Sequence, residues 1–359
     1  MKRSLFLFFA VAVLFCGCSR KNSFSKYSGA KNLKVGFIYI GKINDMGYTQ
    51  AQDAGRRALE RNGIRTLYIE NVPENETCRI AITELIQQGC NMIFATSFGF
   101  GEYVHRAAAE YPQIKFAHCS GSRTADNVSC YFGRMYEARY LTGIVAGLKT
   151  TANRIGYVAA FPIPECIRGI NAFTLGVKSV NPDAVVHVRW SNSWDNSEED
   201  RYKAEELLML GCDIVTQHLD SVSVHLAAQN KGAFSIGYNF PTPDVAPGSY
   251  LTSACFNWEV FVIDEVQRYL EGNWESRFYW EGLESGIIDI SPLSKLCNPG
   301  TKKAVENARQ EIISGTLNIF SGPMYDINQE LKLGDGDIMT LDEIWNMDWF
   351  VDGTKVINY

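Results

Sequence analysis

Aromatic rings, amides and hydroxyls recur in this chain at one kind of place, immediately after short β-rich runs. The residues there are Asn44, Asp45 and Tyr48 in Gly41–Tyr48, Ser97 and Phe98 in Thr96–Phe100, Ser120-Gly121, Phe161 in Phe161–Glu165, and Trp194 in Asn192–Asp195. Asp220 in His218–Asp220, Asn239 in Tyr238–Phe240 and Phe256 in Phe256–Trp258 complete the set. It is poor in cations. Such groups suit a flat molecule whose faces are buried by rings and whose edge carries both donors and acceptors.

Catalysis is not indicated. Acyl or glycosyl chemistry needs a nucleophile beside a base, or carboxylates whose environments separate their pKa values. The chain has no Gly-x-Ser-x-Gly elbow, phosphate-binding loop or His-x-Glu metal motif. Gly99-Phe-Gly101 is a fragment of a dinucleotide fingerprint, but the third glycine is missing and Glu102 stands where phosphate would lie. His218 reads as a hydrogen-bonded loop histidine. Arg134, Glu137 and Arg139 read as a salt-bridged helix face near a hinge. Trp274, Trp280, Trp345 and Trp349 fall outside the strand-end loops and read as packing. Cys90, Cys119, Cys212 and Cys255 sit in or beside apolar runs, where a thiol acts as a small hydrophobe; disulfides are the alternative that export would permit. No cysteine spacing fits a metal site, so no metal and no resident cofactor is expected.

What must position these residues is a series of βαβ units. Strand-like runs at Lys34–Ile40, Arg65–Glu70, Asn91–Ala95, Ile114–His118, Arg154–Ala159, Ala184–Trp190, Asp213–Gln217 and Ala233–Tyr238 alternate with amphipathic stretches. The first four and the last four form two copies of one plan. Lys34-Val-Gly-Phe-Ile-Tyr matches Arg154-Ile-Gly-Tyr-Val-Ala, and Glu84–Phe94 matches Glu206–Thr216, both at an offset of about 120 residues. That offset is far longer than a solenoid repeat. Two doubly wound parallel sheets facing each other leave one crevice, lined by the loops leaving the carboxyl ends of their strands.

Lys2 and Arg3 precede the uncharged apolar run Leu5–Phe15, too short for a comfortable membrane span, and Gly17-Cys18 follows. This pattern predicts a signal peptide over 1–17, acylation at Cys18 and a polar tether over 18–31; an ordinary secretory signal is the alternative. The remaining length suits two lobes, expected over 32–149 plus about 252–280 and over 150–251 plus about 281–359, with the crossings near Leu148–Asn153 and Gly248–Thr252. A net charge of −6 without a basic stripe argues against nucleic acid.

Ile43–Gln50, Ala95–Gly99, Tyr131–Tyr140 and Tyr157–Glu165 together resemble the basic membrane protein family. The resemblance runs from Lys34 to Phe350. It implies a type I periplasmic-binding-protein fold and a lipid-anchored, extracytoplasmic substrate-binding protein, working with the permease and ATPase subunits of an ABC importer. A ligand sensor without transport is an alternative use of the same fold. Nucleoside-binding members sandwich the base between two aromatics, which match Tyr48 and Trp194. Their ribose-binding aspartate and lysine correspond to Asn239 and Phe256 here. Loss of both charged groups, with added flat surface at Phe256, turns the expectation from a purine nucleoside or base, the alternative, to riboflavin as the transported ligand.

Overall fold

The computed structural model describes residues 24–357, so the expected signal peptide over 1–17 and the expected acylation at Cys18 lie outside the described residues. The first lobe runs β1 (Lys34–Ile38), α1 (Tyr48–Arg61), β2 (Arg65–Ile69), α2 (Glu76–Gln87), β3 (Met92–Ala95), α3 (Gly101–Glu110), β4 (Lys115–Cys119) and β5 (Val128–Gly133). The second runs α4 (Met135–Lys149), β6 (Arg154–Ala159), α5 (Pro164–Val180), β7 (Val185–Trp190), α6 (Ser197–Met209), β8 (Ile214–His218), α7 (Ser223–Asn230), β9 (Phe234–Asn239) and β10 (Tyr250–Phe256). The chain then returns through α8 (Glu259–Glu271) and β11 (Phe278–Glu281) to the first lobe. It ends with β12 (Ile288–Ile290), α9 (Thr301–Ile313), β13 (Met324–Tyr325), β14 (Leu331–Leu333), α10 (Leu341–Trp345) and β15 (Thr354–Val356). No described helix is long and apolar enough to cross a membrane.

The sheet orders are β11-β5-β4-β3-β1-β2 and β12-β10-β9-β8-β6-β7-β15. Five strands of each therefore follow the same order, and every pair in these two sheets is parallel except β10 with β12. Strands covered by helices on both faces read as continuous apolar runs, and β3 is buried at every position. The sequence repeat around Gly-Cys has a structural cause. Gly89 and Gly211 both adopt a φ of +88°, and the next amides, of Cys90 and Cys212, donate to Leu85 O (3.0 Å) and Leu207 O (3.1 Å). These are matching left-handed caps that end α2 and α6 and turn the chain into β3 and β8.

Three expectations are corrected. Phe24 and Ala30 are buried in the first lobe, and Tyr27 Oη donates to Glu271 (2.6 Å), so the folded domain includes residues assigned to the tether. Val128–Gly133 forms a strand, β5, outside the eight strand-like runs. The lobe boundaries also move: the chain crosses at Gly133–Met135, Phe256–Glu259 and Glu281–Ile288, not at Leu148–Asn153 or Gly248–Thr252. The reason is α4, which buries nearly its whole surface against second-lobe elements.

Helices α4 and α5 approach closely because each offers glycine to the other. A Cβ at Gly143 would lie 2.1 Å from Phe173 O, and one at Gly176 would lie 2.0 Å from Tyr140 O. Backbone occupies that space, so no rotamer change relieves the clash. At the crossing itself, Arg134 Nε bonds Glu137 (2.6 Å), Arg134 also pairs with Glu284, and Glu137 accepts the Leu283 amide (2.8 Å). Gly143→Val is expected to force the two helices apart and to cost about 1–3 kcal/mol or more. Urea unfolding checks this: an unchanged midpoint removes the crossing as a constraint.

Candidate ligand-binding site

On the first lobe, the loop after β1 is organised by Asp45. Its carboxylate accepts the amides of Gly47 (2.8 Å), Thr49 (2.8 Å) and Gln50 (2.9 Å), which caps α1 and absorbs its orphan donors. Asp45 is thus a positioning residue. It sets Tyr48 at the start of α1, where the hydroxyl donates to Thr96 O (2.5 Å) and lies 3.2 Å from Cys119 Sγ. Burial keeps that phenol protonated, well above its usual range. The Tyr48 ring meets Trp258 edge-on at 6.3 Å.

On the second lobe, Phe161 and Trp194 pack at 5.9 Å, and Trp194 lies 6.1 Å from the His218 ring. His218 ends β8 rather than sitting in a loop. Burial, and then the nearby Arg139, push its pKa down to about 4, and Nδ1 lies 3.1 Å from Tyr157 Oη. Asn239 ends β9 in the left-handed region, with φ +65°. Its Nδ2 donates to Asp220 (2.6 Å), while its buried Oδ1 has no partner among the described residues. Asp220 is bound to the aromatic loop through its amide, which donates to Trp194 O (2.8 Å). Burial, then the charges of Asp45, Asp195, Glu165 and Asp200, raise its carboxyl well above the usual range.

The two sides touch. A Cβ at Gly47 would lie 2.7 Å from Asp220 O and 2.9 Å from Asp220 Cα, so only glycine lets the first-lobe loop approach the second lobe this closely. Tyr48 follows Gly47 directly, and Trp194 is bonded to Asp220. This contact sets the loop that leads into Tyr48 against the second-lobe loop where Asp220 is bonded to Trp194 O and Asn239 Nδ2. Cavities of about 300 Å³, lined by residues such as Leu208 and Lys231, and about 240 Å³, lined by residues such as Gly29 and Leu270, lie away from these strand ends.

Besides Asp45, four predicted ligand residues lie elsewhere or are otherwise engaged. Asn44 is exposed, and Phe98 is 73% exposed on the rim. Ser97 Oγ donates to Glu74 (2.5 Å), in the same turn where Glu74 accepts the Gly99 amide (2.9 Å). Phe256 is 6% exposed and stacks on Trp258 at 4.2 Å and 13°, inside the hinge, because Gly133 leaves room for its ring. It adds no open flat surface to the crevice. The sequence does not single out Trp258, which meets Tyr48 edge-on, or Glu165, 3.5 Å from His218 Nε2, although both stand in strand-end loops. Arg134 and Glu137 form the expected ion pair, but Arg139 does not join it. All eight described cysteines are free thiols, and among the described residues no His, Cys, Asp and Glu group is arranged to hold a metal.

Comparison with known proteins agrees with this architecture. A purine-binding protein of Brucella abortus is 36% identical over 329 residues, 90% of this chain and 93% of that one. A protein of Haloferax volcanii, named as a candidate glucose-binding protein of an ABC transporter, is 33% identical over 91% of this chain and 82% of its own. The solved solute-binding protein from Conexibacter woesei superposes with a TM-score of 0.69 at 18% identity, covering 79% of this chain and 97% of that one. Residues 32–321 match the model of the PnrA-like ABC transporter substrate-binding proteins, and the chain belongs to that family.

Proposed function

We propose that this substrate-binding protein, held outside the cytoplasm by a lipid on Cys18, captures a planar nitrogen heterocycle of the purine class, as base or nucleoside. What carries the reading is the crevice itself: an aromatic from each lobe, Tyr48 and Trp194, beside a carboxylate and an amide, Asp220 and Asn239, that are bonded to each other. Rings bury the faces of such a ligand, and the paired groups meet its mixed edge. The purine-binding name of the Brucella abortus relative supports the same class. Riboflavin is the second reading. The uncharged amide of Asn239, with Oδ1 open, favours it, since a pyrimidinedione edge presents an N–H between two carbonyls. Phe256, buried in the hinge, lends it no support. Closure then works by differential contact, because a ligand shifts the lobes only through groups that both lobes offer at once.

A thermal-shift and calorimetric panel separates the readings. Hypoxanthine, adenine or their nucleosides are expected to raise Tm. A yellow preparation stabilised by riboflavin alone selects the second reading, and indifference to every member of the panel sinks both. Trp194→Ala is expected to cost about 1.5–3 kcal/mol of binding, roughly ten- to a hundredfold in Kd, with little change in Tm of the ligand-free protein. An unchanged Kd takes Trp194 out of the site.

The raised Asp220 carboxyl also gives a sign. An acid whose folded pKa lies above its unfolded value favours the folded, closed form when protonated. That contribution is present at low pH and is lost as pH rises from the ordinary carboxylate range through the raised value. Asp220→Asn is therefore expected to raise ligand-free Tm at about pH 8 more than at about pH 5. Equal changes at both would mean that Asp220 carries no charge strain.

A further inference from the structure

Arg139 lies in the second turn of α4 with its side chain fully buried, yet Nε, Nη1 and Nη2 have no hydrogen-bond acceptor among the described residues. The guanidinium sits 4.2 Å from the Tyr238 ring centroid and 5.4 Å from that of Tyr157. Two ring faces replace only part of the hydration that five N–H donors lose. The carboxylate of this cluster, Glu165, is engaged elsewhere: it accepts Tyr238 Oη (3.2 Å), lies 3.5 Å from His218 Nε2 and is in the field of Arg168. Buried charges in folded proteins are paired or hold a ligand. This one still lacks its acceptor.

Its surroundings indicate what the acceptor is. Tyr238 and Asn239 are the last residues of β9, and His218 is the last of β8. The Tyr238 ring lies 4.3 Å from His218, which lies 6.1 Å from Trp194. The guanidinium is thus one ring behind the carboxyl ends of the strands that bear the crevice residues. Two more buried valences are open nearby. Asn239 Oδ1 has no donor, and Trp258 Nε1 has no acceptor, its ring stacked on Phe256, which in turn lies 6.1 Å from Tyr238.

Resting on the heterocycle reading above, we propose that Arg139 is a specificity-determining ligand residue, donating to an oxo or enolate oxygen on the edge of the bound ring. An exocyclic amino group in that place would set donor against donor. The protein therefore prefers oxo-substituted rings, such as an oxopurine or a pyrimidinedione, over their amino counterparts.

The test uses the intact protein and calorimetric titration with hypoxanthine and adenine, which differ at one exocyclic group, alongside Arg139→Gln and Arg139→Lys. The expected result is at least tenfold tighter hypoxanthine binding, loss of that preference in Arg139→Gln with adenine affinity within about threefold, and partial retention in Arg139→Lys. Xanthine adds a spectroscopic signature that a structural arginine would not produce: bound to the unsubstituted protein, its anion spectrum appears at lower pH than in free solution, and that shift is lost in Arg139→Gln. If Arg139→Gln does not fold, the hypoxanthine-to-adenine ratio and the xanthine spectrum of the unsubstituted protein decide. Equal affinity for the two purines, or a parallel loss of both in Arg139→Gln, assigns Arg139 to packing and overturns the proposal while leaving the purine reading intact. A protein that binds no purine and no riboflavin overturns both together.

Discussion

The close approach of α4 to α5 is the constraint from which the site follows. Helix α4 begins at the first crossing, directly after β5 has left the first sheet, and by its second turn it is already committed to the second lobe. That commitment is made by backbone against backbone at Gly143 and Gly176, so the helix cannot slide without opening a gap along both partners. Its register fixes three things at once: the Arg134–Glu137 cluster at the hinge, Tyr140 against α5, and Arg139 over Tyr238 at the end of β9. Helix α5 carries Glu165 in its first turn and Arg168 one turn later. The hinge and the crevice floor are therefore built on one rigid pair of helices.

The duplicated architecture is legible in the sequence because the determinants are local. A helix whose apolar last turn runs into Gly-Cys before an apolar run has one economical structure, a left-handed cap followed by a buried strand, and the chain writes it twice, at Gly89 and at Gly211. Where the lobes exchange chain is not legible in the same way. Val128–Gly133 and Tyr250–Phe256 are strands by composition, but nothing local says which sheet each joins. That is decided by what covers them, and α4 packs on β10 rather than on β5. The segment before Leu33 misleads for a related reason. Its composition is small and polar, but Phe24 and Ala30 suffice to dock it on the first lobe.

The same division runs through the site. Tyr48, Trp194, Phe161, Asp220 and Asn239 are candidates from sequence because residues that follow parallel strands gather at the carboxyl edge of a sheet, but the same rule also selects Asn44, Ser97 and Phe98, which are exposed or engaged elsewhere. Asp45 could be named too, although its carboxylate is spent on three backbone amides. Phe256 obeys the positional rule and fails it, since Gly133 opposite lets the ring fold back into the hinge. Arg139 fails for a simpler reason. Residues three apart on a helix share a face and residues two apart do not, so Arg134 reaches Glu137 while Arg139 is directed to the other side. On a helix buried nearly all round, that other side is a second interior and not solvent.

Closure sets two electrostatic features of the crevice against each other. Bringing Gly47 onto Asp220 also brings Asp45 toward it, and the resulting desolvation and repulsion act against the closed form, adding to the field of Asp195 in Asp220's own lobe. Arg139 is positive and near the same strand ends, but Glu165, Arg168 and His218 stand in the cluster around it, and His218 is held neutral. Asn239 Nδ2 relieves Asp220 only in part, and Arg139 has no acceptor among the described residues. A neutral ring with an oxygen-bearing edge on the arginine side and an N–H toward Asp220 or Asn239 would answer both at once. It would do so only with the lobes together, because the aromatic faces come from opposite sides of the contact. A ligand with a single kind of edge group could satisfy one side and would leave the other strained. On this reading the selectivity of the crevice and the strain of the contact at Gly47 have one physical origin.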